Sequence, residues 1–282
     1  MQDLTSILRE IPDDVRGICK RLRASGHRAW VVGGCVRDVL LQRAASDWDL
    51  ATSARPEQVR DLFERVIPTG IEHGTVTVLV GKRSYEVTTL RGDGTYSDGR
   101  RPDSVVFVED IRADLARRDF TVNALAVDPL DGSLHDPFGG VEDLAAGLLR
   151  AVGDPVRRFS EDGLRLLRGA RFVATLELEL EPNTRRAMSE CLETFRQVSH
   201  ERIRDELNKA LRAARPSRAF KIMRETGILG VIQPAFDELE EGAWRTACQA
   251  LDSTRRLGGS VAVPSEIQCL GVLLGFITAP GA

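Results

Sequence analysis

Apolar side chains return at helical spacing across residues 12–24 (Val15, Ile18, Leu22), and Gly26 supplies the stop. A short β-branched run, Trp30-Val31-Val32, is halted by Gly33-Gly34. A brief amphipathic helix follows, with Val36, Val39 and Leu40 apolar and Arg37 and Asp38 between them. The chain then returns through Ser46 to Asp47-Trp48-Asp49-Leu50. Residues 53–66 predict a second helix, with Pro56 in its first turn and Val59, Leu62 and Phe63 inward. The stretches 75–80 and 85–90, joined by Gly81-Lys82-Arg83, predict a hairpin, and 124–127 with 134–136 predict another through Asp131-Gly132. A strand at 104–108, a short helix from Ile111, a helix from Val141 and a strand at 148–152 complete an α/β domain with a small mixed sheet. Past Gly153 the period is helical almost throughout 156–213, Pro182 opening one helix and Pro216 ending another. A domain boundary is therefore expected near Gly153, with an all-α region beyond it.

The 282 residues are 42% hydrophobic and 29% charged, an ordinary globular composition with room for two domains or one large one. A net charge of −3 gives no global attraction to nucleic acid, so any RNA contact must come from local patches. One such patch stands out: from Arg196 to Arg224 there are nine Lys/Arg against three acids. This surplus suits either phosphate contacts or a solvated helix face. Five scattered cysteines without a Cys-x-x-Cys pair suggest reduced thiols in a cytosolic protein, not a disulfide frame or a zinc site. The N-terminal residues carry no visible export signal, and the apolar run 269–277 is too short to span a bilayer, so no membrane partner is expected. Residues 91–103 (RGDGTYSDGRRPD) are almost devoid of apolar side chains and read as a long loop of the kind that usually serves function.

Candidate chemistry centres on residues 30–52. In extended backbone Asp47 and Asp49 share a face while Trp48 turns away. Two neighbouring carboxylates repel, and a divalent cation relieves the repulsion; hard oxygen ligands of this kind suit Mg²⁺. The glycine pair lacks Cβ atoms, so a polyanion can approach its backbone N–H groups. Either element alone is usually a turn or a strand end. Strand, glycine pair, helix and Asp-x-Asp in this order point to nucleotidyl transfer.

Further motifs follow: GRRPD closing the loop, RRDFTVNA at 117–124, DPFGG at 136–140 and EDGLRLLRGARF at 161–172. With GGCVRD and DWDLAT, they resemble the class II tRNA nucleotidyltransferases (the CCA-adding enzymes) and the related bacterial poly(A) polymerases, over roughly residues 30–224. The resemblance implies a polymerase β-like nucleotidyltransferase head (1–153), a helical nucleotide- and RNA-binding neck (154–224) and the start of a helical body (225–282). It implies that Asp47 and Asp49 hold two Mg²⁺ ions. Glu86 is the candidate for a third carboxylate; an exposed strand acid is the alternative. Gly33, Gly34 and Arg37 would contact the triphosphate, Arg118 and Asp119 the ribose, with Asn123 in the same substrate-binding motif. Asp162 and Arg165, expected three apart on one helix face, would act as a protein template for the base, with Arg168 a further phosphate or base contact. Cytosine and adenine both present an amino donor beside a ring-nitrogen acceptor, which an Asp acceptor beside an Arg donor complements. Uracil and guanine present the reverse order.

The implied substrates are CTP, ATP and a tRNA 3′ end. A full-length loop at 91–103 favours complete CCA addition or addition of the terminal A alone, with poly(A) polymerase as the alternative. Adenylylation of a small molecule or protein could share the glycine pair and Asp-x-Asp, but would not need the Asp162/Arg165 reader. A catalytically dead RNA-binding relative would be expected to have lost Asp47 or Asp49. Members of this family usually carry more helical body and tail than the residues past 224 supply.

Overall fold

The computed structural model describes residues 4–45, 47–92 and 106–257, in two compact units. The first contains α1 (Leu4–Glu10), α2 (Asp13–Ala24), β1 (Ala29–Val32), α3 (Gly34–Leu40), β2 (Leu50–Thr52), α4 (Pro56–Leu62), β3 (Val66–Gly70), β4 (Thr75–Val80), β5 (Arg83–Thr89), α5 (Ile111–Ala116), β6 (Ala126–Val127), β7 (Leu134–His135) and α6 (Gly140–Ala146). Its seven strands form one sheet in the order β3-β4-β5-β2-β1-β6-β7. Only β2 and β5 run parallel; every other pairing is antiparallel, so the sheet is mixed as expected. Trp30, Val32, Ala51, Leu90, Ile111, Leu115, Ala124, Ala126 and Val152 form a buried cluster. The central strands are apolar on both faces because both are covered.

Three elements of this unit depart from the sequence reading. The helix predicted over 53–66 ends at Leu62, where Phe63 is already extended, and Val66 opens a strand. That strand is the sheet's edge, pairing only with β4, and it leaves Ile67 45% exposed. Pro68 within it masks the strand pattern, yet proline is tolerated at an edge because no ladder donor is needed on the outer side. Of the strand expected at 104–108, the described part makes a single bridge, Phe107 to Arg91, flanked by Gly92 N–H to Val106 O (2.8 Å) and Val108 N–H to Leu90 O (3.0 Å). Most of the expected loop lies outside the described residues. Finally, the strand expected at 148–152 splits: Ala151 bridges Phe120 in the first unit, whereas Leu148–Leu149 belongs to the second.

The second unit joins β8 (Leu148–Leu149) in parallel to β9 (Glu179–Leu180) and is otherwise helical. Its helices are α7 (Pro155–Glu161), α8 (Leu164–Leu176), α9 (Pro182–Glu190), α10 (Leu192–Arg196), α11 (His200–Leu211), α12 (Ser217–Glu225), α13 (Ile228–Ile232), α14 (Pro234–Asp237) and α15 (Glu241–Leu257). Local chemistry starts several of them. Asp154 accepts from Arg157 N–H (2.7 Å) at the head of α7, and Glu181 accepts from Thr184 N–H (2.8 Å) at the head of α9, just before Pro182. Pro216 does not end a helix as expected. It precedes α12, whose first N–H, from Ser217, is accepted by Asp252 (3.0 Å).

The most consequential departure is at Asp162. The sequence predicts Asp162 and Arg165 on one helix, but the helix breaks there: Asp162 is extended (φ −151°, ψ 106°), and α8 starts only at Leu164. Gly163 in the break packs against the Thr194 backbone so closely that a Cβ would overlap the carbonyl oxygen. Gly163→Ala is therefore expected to lower unfolding free energy by about 1–3 kcal/mol through overpacking. Gly17→Ala, in open space on α2, should instead raise it by roughly 0.5–1 kcal/mol. Urea titrations of the two variants check both signs.

Candidate active site

The short strand β1 ends at Gly33, whose φ of +79° few other residues adopt, and α3 begins immediately after it. A side chain on Gly33 would meet the Arg118 guanidinium, with Cβ only 2.7 Å from Nη1. Glycine here is thus both a turn requirement and the space into which Arg118 fits. The chain returns to β2, where Asp47 and Asp49 face solvent on either side of buried Trp48. The predicted alternation holds although the regular strand begins one residue later, at Leu50. Asp49 is nonetheless tied to the sheet: its carbonyl accepts from Val32 N–H (3.0 Å).

Strand register brings Glu86 to the same place. Leu50 pairs with Val87 in the parallel β2–β5 ladder, so Asp49 and Glu86, each one residue earlier, lie side by side. Crowding by the protein, then the charge of Glu86, pushes the Asp49 carboxyl up to about 6; Arg118 pulls it back down and Asp47 adds to the rise. These three acids lack hydrogen-bond partners among the described side chains, but they do not close into a compact ligand set. Among the described residues, no three His, Cys, Asp or Glu are gathered tightly enough to hold a metal ion. The donor chemistry still fits a hard divalent cation, since an ionised Asp49 is held against two like charges. Cys35, beneath Asp49, is pushed up to about 12 by burial and stays a thiol.

A cationic wall stands beside the acids. Arg37, buried on α3, donates to the Asn123 side-chain oxygen and pairs with Asp38 (2.8 Å). The Asn123 amide in turn donates to Asp119 (3.0 Å), which also accepts from Phe120 N–H (2.8 Å). Arg118 reaches the Asn123 carbonyl (3.4 Å) and Asp114 (3.3 Å). Gly33, Gly34, Arg37, Arg118, Asp119 and Asn123, assigned from separate motifs, are therefore one contiguous network. Asp114 was not predicted. Only 1% exposed, it is raised by burial, but Arg118 and Arg117 outweigh this and hold its carboxyl below the ordinary range. The i, i+4 spacing of Asp114 and Arg118 on a helix-forming segment was the signal available.

In the second unit Asp162 and Arg165 do not pair with each other. Asp162 is gripped by Arg202 from α11, and Arg165 donates to Glu161 and to the Arg158 carbonyl (both 2.7 Å). Arg168 leans toward Glu206 (3.9 Å), which also pairs with Arg171 (2.6 Å). The basic surplus from 196 to 224 is smaller than composition suggests. Arg196, Arg202, Arg204, Lys209, Arg218 and Arg224 each lean on an acid. Cys19, Cys35, Cys191 and Cys248 are buried free thiols, as expected, and Cys269 lies outside the described residues. No helix among the described residues is long and apolar enough to cross a membrane.

The chain is similar to known proteins over most of its length. Residues 29–150 match a family described as the poly A polymerase head domain, and residues 177–240 one described as a probable RNA- and SrmB-binding site of polymerase A. A CCA-adding enzyme of Lactobacillus gasseri is 48% identical over 211 residues, covering 75% of this chain and 53% of that protein. One from Streptococcus gordonii is 50% identical over 196 residues, covering 70% and 49%. The chain thus spans about half the length of these curated relatives. Among solved structures, the Bacillus stearothermophilus CCA-adding enzyme in complex with CTP superposes with a TM-score of 0.71 at 30% identity, covering 95% of this chain and 78% of that one. A tRNA nucleotidyltransferase complexed with a primer tRNA and an incoming ATP analogue gives 0.75 at 27% identity, covering 91% and 75%. With a nucleotidyltransferase head followed by a helical region in the same order, the chain belongs to the family of the CCA-adding tRNA nucleotidyltransferases and bacterial poly(A) polymerases.

Proposed function

We propose that this chain carries the nucleotide-transferring part of a template-independent tRNA nucleotidyltransferase, which adds C and/or A from CTP and ATP to a tRNA 3′ end and releases pyrophosphate. The observation that carries this reading is the juxtaposition in the first unit: three carboxylates beside a glycine turn walled by Arg37, Arg118 and Asn123. The relatives named for CCA addition favour tRNA ends over poly(A) tails as the product.

Asp47 and Asp49, with Glu86 adjacent, would hold Mg²⁺. When bound, the cation supplies Lewis-acid stabilisation of the phosphoryl oxygens and helps ionise the attacking hydroxyl. The protein's own groups do the rest. The Gly33 N–H is already taken by the Leu125 carbonyl (3.0 Å), so Gly34 is the member of the pair that would meet a polyanion, while Arg37 and Arg118 add fixed positive charge where the triphosphate would lie. Arg118 and Asp119 suit the ribose: an acceptor for its 2′-hydroxyl favours ribonucleotides, because a deoxy sugar leaves that acceptor unpaired. Residues 154–224 would then read the base through Asp162 and Arg165. Reduced buried thiols fit a cytoplasmic setting.

Incubation with Mg²⁺, each labelled NTP in turn and tRNA transcripts ending before C, CC and CCA should give limited incorporation of C or A and none of U or G. A long A tail would select poly(A) polymerase instead. Asp47→Asn and Asp49→Asn should each reduce incorporation by more than the about 10–100-fold typical of residues that merely support a metal ligand.

The raised Asp49 carboxyl gives a second expectation. Protons compete with the cation at this group, so Mg²⁺ affinity should fall as pH drops below about 6. For folding the sign is opposite. A carboxyl raised from 3.8 to about 6 binds its proton more tightly in the folded state, so metal-free stability declines as pH rises through that window. Asp49→Asn should therefore raise the metal-free Tm at pH 7.5 and leave it nearly unchanged at pH 4. The gain is modest because the group is open to water. Thermal melts at both pH values, with and without Mg²⁺, check the pattern.

A further inference from the structure

We infer that Arg202 is a positioning residue for base selection, holding the Asp162 carboxylate in the plane that an incoming cytosine or adenine must meet. The inference rests on the proposed reading of Asp162 and Arg165 as the base-contacting pair. It rests independently on geometry within the second unit that this reading did not anticipate.

Asp162 lies in the break between α7 and α8, so no helical turn restrains its side chain. Two contacts do so instead. The Arg202 fork engages both carboxylate oxygens, Nη1 to Oδ1 at 3.2 Å and Nη2 to Oδ2 at 2.8 Å. Leu164 N–H, at the start of α8, donates to Oδ1 at 3.0 Å. A fork on two oxygens fixes the plane of a carboxylate as well as its position, which a single donor does not. Together these three donors use about three of the roughly four acceptor sites a carboxylate offers. The site left over is on Oδ2, with its direction set by Arg202.

Arg165 is held by a separate clamp. Its Nη1 is committed to Glu161 Oε2 and the Arg158 carbonyl, and Arg158 itself donates to the same Glu161 oxygen at 2.6 Å. Acceptor and donor are thus oriented by different residues on different elements, so either can be loosened without the other. Discriminating an amino group beside a ring nitrogen from the reverse order needs a fixed acceptor direction. A freely turning carboxylate could take a donor from any base edge. α11 is anchored for this task one turn beyond Arg202, where Glu206, 3% exposed, pairs with Arg171 on α8.

An ordinary partly exposed ion pair would stabilise the fold slightly and leave base preference alone. The two roles separate in a binding measurement that needs no tRNA. Calorimetric titration of the chain with CTP, ATP, UTP and GTP in Mg²⁺ should show the unmodified protein preferring CTP and ATP by at least about tenfold, the scale of one bidentate contact. Arg202→Gln, which keeps a donor but not the fork, should reduce that preference about tenfold, mainly by weakening CTP and ATP. Arg202→Lys, a point charge without a fork, should fall between. Arg202→Gln with the unmodified preference would overturn the assignment. If that variant fails to fold by circular dichroism, Arg202→Lys decides: an undiminished preference overturns, a reduced one supports. An unmodified protein that fails to distinguish the four nucleotides, or Asp162→Ala with unchanged preference, would sink the base-reading pair itself and this role with it. That result is distinct from a preference that survives only the loss of Arg202.

Discussion

The interaction on which the first unit depends is electrostatic repulsion, held in place by strand register. Asp47 and Asp49 stand at the mouth of β2, and the parallel pairing of β2 with β5 puts Glu86 beside Asp49. Nothing in folding alone favours three like charges here: partial burial, and then the charges of Glu86 and Asp47, drive the Asp49 carboxyl up to about 6. The sheet tolerates the arrangement because buried apolar partners alternate with the acids, Trp48 and Leu50 on one strand and Val87 on the next. A hydrophobic pattern thereby secures a charge pattern that is unfavourable on its own.

The opposite wall has the complementary problem, which is how to keep arginines near these carboxylates without collapsing them onto Asp47, Asp49 and Glu86. Each has a carboxylate partner, Asp38 for Arg37 and Asp114, shared with Arg117, for Arg118. Breaking a buried pair by removing one partner costs about 3–5 kcal/mol, so these partners also define where the guanidinium groups stay. Asp114 further accepts from Arg91 N–H (3.1 Å), tying the arginine wall to the residue that bridges Phe107 just past β5.

Much of the head was legible in the sequence because its signals are local. The glycine pair, the Asp-x-Asp alternation, the 75–89 hairpin and the start of α5 each follow from a few adjacent residues. What failed was non-local. Strand β3 exists because β4 offers it a partner at Val78, and no periodicity in a run containing Pro68 and Gly70 announces that. Leu148–Leu149 is apolar enough to join either unit, and its pairing with Glu179–Leu180 lies thirty-odd residues downstream. The convergence of six predicted substrate residues followed from motif resemblance. The bonds that join them, through Asn123 and Asp114, did not.

Asp162 illustrates how a local expectation can fail while the functional proposal built on the same residues does not depend on it. The i, i+3 spacing with Arg165 suggested neighbours on a shared helix face. The break at Asp162-Gly163 prevents this. With α8 starting at Leu164, the Asp162 carboxylate caps the new helix and turns to Arg202, while Arg165 turns back to Glu161. A mutually paired Asp and Arg would present a closed salt bridge to a base. Held by separate partners, the two groups are oriented independently of one another. Gly163 is the residue that permits the break, since its lack of a side chain lets the chain pass against the Thr194 carbonyl. The separation of the two charged groups, more than their spacing in sequence, is the property a base reader needs.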